Sequence, residues 1–163
     1  MEFTLRAAAF SDADEIARLN IATWREAYAH LLPADFFTEE FAASRHALWA
    51  RVLGERHPDR IVRVAEADGA IVGYGFAGPA LGEPGAEPPR DRQLYGLYVA
   101  AIHHGTGVGQ SLLDAVLGDD PAVLWVAARN PRAIAFYERN GFALDGEEQT
   151  DPIAGIVDAR MVR

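Results

Sequence analysis

Three glycines at alternate positions, Gly105, Gly107 and Gly109, stand where an apolar run ends and a helical pattern begins. The run, Leu94 to Ile102, is rich in aromatic and β-branched residues and reads as a buried strand. Val108, Leu112, Leu113, Val116 and Leu117 then recur on one helical face, and Gly118 closes the helix. Strand, glycine turn and helix N-terminus make an anion site. The first N–H groups of a helix have no internal partner, the dipole adds positive character, and a missing Cβ lets a phosphate approach the backbone. A nucleoside-triphosphate loop would need Gly-Lys-Ser/Thr, which is absent. A G-x-G-x-x-G dinucleotide fingerprint would need glycine where Gln110 or Leu112 stands.

His104-Gly105-Thr106-Gly107-Val108-Gly109, followed by Gln110, resembles the Gln/Arg-x-x-Gly-x-Gly/Ala pyrophosphate loop of the GNAT superfamily of N-acetyltransferases. A second segment, Asn130 through Tyr137 to Gly141-Phe142, resembles the same family's other coenzyme-contacting stretch. The likeness runs from Arg6 to Phe142 and is sharpest over 94–142. It implies acetyl-CoA as co-substrate, an amine acceptor and no metal. Loop residues 104–110, the strand Leu97-Tyr98-Val99, Asn130 and Tyr137 would hold the coenzyme. The backbone N–H of Val99 would steady the developing oxyanion, and the Tyr137 hydroxyl would protonate the leaving sulfur. Arg132 and Arg139 are candidates for the 3′-phosphate. Trp24, Tyr28 and His30 are acceptor-side candidates, with core packing as the competing role for the two aromatics. His104 stands where the family has Gln or Arg, so a ring facing the diphosphate would make affinity rise as pH falls.

The general base is not fixed by the resemblance. The strand 93–100 holds no carboxylate, and Trp125 stands where some members carry Glu. Glu66, Asp151, Asp158 and His30 remain, as does a water chain with no dedicated base. A non-catalytic acyl-CoA-binding or sensing module of the same fold is the alternative function, and acceptor identity stays open.

The elements that must position these residues follow from pattern. Phe3 to Ala8 reads as a first strand, and Asp12 with Glu15 reads as a capping-box start to a helix ending near Tyr28. A second helical region covers about Ala34 to Leu53 after Pro33. Ile61–Ala67 and Ala70–Ala77 flank Asp68-Gly69, a hairpin signal. Gly78 to Arg92, dense in proline and glycine, reads as a surface loop. Gly96, inside a strand pattern, points to a bulge or a close backbone approach. Ala122–Ala128 reads as a strand, and Asn130 caps a helix with Pro131 at its first position. Phe142–Gly146 and Ile156–Val162 read as two final strands around a polar turn at 147–152. Pattern alone gives an α/β or α+β chain. The resemblance implies a mixed, mostly antiparallel sheet of about seven strands, flanked by four helices, with a splay between the fourth and fifth strands.

At 163 residues the chain is the size of one domain, expected over 1–163. Its net charge of −9 argues against non-specific nucleic-acid binding and agrees with an amine-bearing acceptor. Cysteine is absent, which removes disulfides and thiolate chemistry. No apolar run reaches the ~20 residues of a bilayer span, and the opening residues lack a signal-peptide pattern. A cytoplasmic location without membrane association is therefore expected, and self-association as a homodimer is left open.

Overall fold

The computed structural model describes all of Met1–Arg163. Seven strands and four α-helices follow one another in chain order: β1 (Thr4–Ala7), α1 (Ala13–Tyr28), α2 (Glu39–Gly54), β2 (Ile61–Ala67), β3 (Ala70–Pro79), β4 (Arg92–Val99), α3 (Val108–Val116), β5 (Val123–Ala127), α4 (Pro131–Arg139), β6 (Ala143–Thr150) and β7 (Val157–Val162). They build one sheet in the order β1-β2-β3-β4-β5-β7-β6. All neighbours are antiparallel except β4 and β5. No helix is long and apolar enough to cross a membrane.

Burial follows the sequence pattern. Ile16 and Ala17 of α1 and Trp49 of α2 pack on Val64 and Tyr74, covering one face of β2 and β3. Val108 and Leu112 of α3 cover the other face, against Ala65 and Val72. Leu113 and Val116 join Tyr137, Phe142, Leu124 and Met161 beneath the β5–β7 half. The β2–β3 turn is the expected one. Asp68 and Gly69 take positive φ of 51° and 77°, which matches a type I′ hairpin.

Three local expectations are corrected. Asp12 and Glu15 do not form a capping box on α1. Asp12 accepts from Arg6 at 2.7 and 3.0 Å and from the Ala9 N–H at 2.7 Å, while Glu15 reaches across to the Ile71 N–H at 2.7 Å. Both carboxylates are drawn into tertiary contacts. The second helix starts at Glu39 rather than near Ala34, because Thr38 captures the Phe41 N–H and caps it there. Phe36 and Phe37, outside the helix, instead pack on the Phe41 ring at 4.9 and 5.5 Å. The polar stretch Glu147–Thr150 is strand, not turn. Strand β6 is exposed along its whole length, so it needs no apolar alternation, and after an irregularity between Leu144 and Glu148 its pairing with β7 resumes and runs to Thr150↔Val157.

Candidate active site

The splay has a visible cause. Phe76 pairs with Gly96 but Ala77 pairs with Leu94, so Tyr95 is an extra, bulged residue in β4. A bulge bends its strand away from its neighbour. Parallel pairing of β4 with β5 is confined to Gln93↔Val123 and Leu94↔Leu124, and it stops at the bulge. The Gly96 signal thus marks the place where the sheet opens. A Cβ there would also sit 3.3 Å from the Tyr98 ring.

Beyond the bulge, β4 keeps only its β3 partner. The Ala100 N–H donates to Val72, so by strand alternation the N–H and C=O groups of Leu97 and Val99 point into the gap. The gap belongs to a cleft of about 1140 Å³. At one end lie Gly105 and Gly107, with φ of 77° and 91°, and the start of α3. Helix geometry leaves the N–H groups of Val108, Gly109 and Gln110 without helical partners there. No atom lies within 4 Å of where a Cβ would sit on Gly105 or Gly107, so this cradle is open to a ligand. Facing strand edges, a glycine cradle and a helix N-terminus fit an extended ligand carrying amides and a diphosphate.

Most of the expected site residues meet in this cleft. Leu97, Tyr98, Val99, His104, Gly105, Gly107, Gly109 and Gln110 line it, with Asn130 and Tyr137 from the α4 side. Trp24, Tyr28 and His30 line it from α1 and the turn that follows. Two side chains do not reach it. Val108 is fully buried in the core, and the Thr106 hydroxyl donates to the His103 carbonyl at 2.7 Å. Only their backbones are available to a ligand.

The ring of His104 lines the cleft and is held from both sides. Its Nε2 lies 2.9 Å from the Val99 carbonyl, and its Nδ1 faces a guanidinium N–H of Arg132. Arginine can only donate, so Nδ1 accepts and Nε2–H donates to Val99. Both ring nitrogens are therefore engaged, and the ring is a tether rather than a free face toward a diphosphate. Asn130 accepts from the Ala133 N–H at 3.1 Å, which caps α4, and the residue also lines the cleft.

Tyr137 is buried, its ring 5.3 Å from Phe136 and 5.8 Å from Phe142. Burial raises its hydroxyl pKa far above the ordinary phenol range, so the proton stays on. Trp24 donates its indole N–H to the Tyr98 hydroxyl at 3.1 Å, with its ring edge-on to Tyr28 at 5.4 Å. The two aromatics are half-buried walls, so the packing and lining roles coexist. Burial also pushes the Tyr28 hydroxyl up, Asn130 opposes the shift, and the negative charge of Asp158 reinforces it. Sequence reasoning did not single out Gln93, Arg129 or Phe136, which also line the cleft. Their signal was weak, because Gln93 is an ordinary strand residue, Phe136 an ordinary helix residue and Arg129 an ordinary turn residue until the splay gives them a cavity to face.

With this geometry in place, the relatives are informative. Residues 16–142 match the Acetyltransferase (GNAT) family, and the chain belongs to it. A Mycobacterium tuberculosis protein described as a probable N-acetyltransferase, Rv2775, is 30% identical over 163 aligned residues, covering 93% of this chain and 87% of its own. The fold is shared with PaiA N-acetyltransferase of Thermoplasma acidophilum, solved with coenzyme A (TM-score 0.68, 18% identity, 98% of both chains). It is shared equally with YncA of Salmonella typhimurium, solved with acetyl-CoA (TM-score 0.66, 19% identity, 100% of this chain and 94% of that one).

Proposed function

We propose that the protein transfers the acetyl group of acetyl-CoA to a primary amine. The observation that carries this reading is the unpaired gap between β4 and β5, which opens at the Tyr95 bulge and shares its cleft with the glycine cradle of α3. When bound, acetyl-CoA supplies a thioester carbonyl as electrophile and a thiolate as leaving group. The N–H and C=O of Leu97 and the N–H of Val99 are offered to an extended amide chain, in the manner of an added strand, while the Val99 carbonyl accepts from His104. Gly105, Gly107 and the first N–H groups of α3 take the diphosphate. Arg132 and Arg139, both lining the cleft, add positive charge for the phosphates.

The Val99 N–H points into the gap, where it can stabilise negative charge on the carbonyl oxygen during attack. The Tyr137 hydroxyl, kept protonated by burial, can give its proton to the departing sulfur. Trp24, Tyr28 and His30 line the same cleft and serve as the acceptor side in this reading. Two measurements test the reading. Calorimetry should give saturable coenzyme A binding, and thiol release should report turnover across a panel of primary amines. No coenzyme A binding would overturn the proposal. Binding with no turnover on any amine would favour the non-catalytic acyl-CoA-binding module.

A further inference from the structure

The carboxylates and the histidine left open as bases now differ in what holds them. Glu66 lies on β2, away from the cleft, and accepts from Arg6 at 2.9 Å. Asp151 lines the cleft, but its Oδ1 accepts from the Ile153 and Ala154 N–H groups at 2.9 and 2.5 Å, fixing the β6–β7 turn. His30 sits exposed in the turn after α1. Asp158 has no such commitment. It is half-buried, lines the cleft, and has neither a cation within 4.0 Å nor a side-chain hydrogen bond. Its place follows from register. Asp158 stands opposite Ala127 of β5, and Arg160 opposite Trp125. Ala159 and Met161 alternate to the core face, which turns Asp158 to the face open to the cleft.

We propose that Asp158 receives the ammonium group of an alkylammonium acceptor and takes its proton, serving as the general base. The inference rests on the acetyl-transfer reading and deepens it by naming the base and the charge of the acceptor. An unpaired, half-buried carboxylate is poorly solvated, and an ammonium beside it supplies the missing counter-charge. Burial, with the negative charge of Asp151 in support, pushes the Asp158 carboxyl up to about 6. A base with that affinity is ionised at neutral pH and still takes a proton readily. The titratable groups that act on it are Tyr28 from α1 and Asp151 from the β6–β7 turn, while Arg129 and Arg132 line the same cleft from the β5–α4 side. Arg160, its neighbour on the same strand face, is held by Asp145 at 2.7 Å.

The protons balance. Asp158 takes one proton from the ammonium and passes it to solvent, leaving a neutral amine. The nitrogen lone pair forms the C–N bond to the carbonyl carbon, and Asp158 takes a second proton from that nitrogen. The C–S bond breaks with its electron pair going to sulfur, which takes the Tyr137 proton. The proton on Asp158 returns to Tyr137 through solvent, so one proton is released overall.

The test uses the whole protein and two readouts. In carbon-13 NMR of aspartate-labelled protein, the signal lost in Asp158→Asn should titrate near pH 6 in the wild type. Benzylammonium chloride, added with coenzyme A, should move that titration to lower pH. An Asp158 signal that titrates in the ordinary range near 4 and ignores benzylammonium would overturn the proposal. With the best amine of the panel, kcat/KM should rise with pH through about 6 in the wild type. Asp158→Asn should lose ~10²-fold and the acidic limb with it, and Asp158→Glu should restore part of both. An acidic limb unchanged in Asp158→Asn would equally overturn it. Failure of the acetyl-transfer reading is distinguishable, because it appears as absent coenzyme A binding, while the NMR titration needs no turnover.

Discussion

Arg132, in the first turn of α4, donates to Nδ1 of His104, and His104 in turn donates to the carbonyl of Val99. One ring thus links the helix that carries Tyr137, the glycine loop and the strand that carries the oxyanion donor. His104→Ala should free the Arg132 side chain and the start of the loop. A hydrogen bond of this kind is worth about 0.5–1.5 kcal/mol net, so coenzyme A affinity should fall about 3–10-fold by calorimetry. His104→Gln keeps an acceptor for Arg132 and should lose less. Wild-type affinity in His104→Ala would show that the tether plays no part in binding.

The glycine cradle separates backbone strain from ligand access. Gly107 has φ of 91° and open space around it, so Gly107→Ala meets no clash but holds a left-handed backbone at ~1–2 kcal/mol. Gly109 has no such conformation, and its Cβ would make ordinary contacts of 3.8 Å with Phe136 and Val99. Gly107→Ala should therefore lower both the melting temperature and coenzyme A affinity. Gly109→Ala should leave melting near wild type and weaken binding only where a ligand comes close to the backbone. Unchanged affinity in both variants would remove this loop from the binding site.

Tyr137→Phe keeps the ring between Phe136 and Phe142 and deletes the proton. Loss of a general acid costs about 10²–10⁴ in rate, and thiolate is a tolerable leaving group, so ~10² in kcat is expected. Affinity for acetyl-CoA should hold, since the interaction matters only as the bond breaks. Because burial raises the hydroxyl pKa, wild type and variant should have the same pH–rate profile on the basic side up to about pH 10. A kcat equal to wild type would return Tyr137 to a packing role.

Asp158 ties function to stability with a definite sign. Its folded pKa, about 6, lies above the ~3.9 of an unfolded aspartate. Between those values the folded state binds more protons, so this group's contribution falls as pH rises and is fully unfavourable above about 6. Asp158→Asn should melt higher than the wild type at pH 7–8, with the gap closing below about pH 4. A gap that widens toward acid would contradict the burial argument.

Much of the fold was legible because each element carries its own punctuation. Asp68-Gly69 requires a tight hairpin, Asn130-Pro131 starts a helix, and Val108 to Leu117 can bury only one face. What stayed hidden depends on partners distant in sequence. Glu15 looks like a cap until Ile71 arrives from 56 residues away. In the site, the glycine loop and Tyr137 were readable from local spacing. Arg132 holding His104, and Asp158 as the one candidate carboxylate without a side-chain partner, were not. Both depend on strand register and on which side chains other contacts have already claimed.

The Tyr95 bulge has a consequence for exchange with solvent. A sheet interior normally shields its amides, yet beyond Leu94 the β4 edge facing β5 has no strand to bond it. The amides of Leu97 and Val99 are therefore central in the fold but should exchange their protons like those of an outer edge strand. A ligand lying in the gap would close that edge and slow the exchange. The centre of the sheet would then be completed by a molecule the chain does not encode.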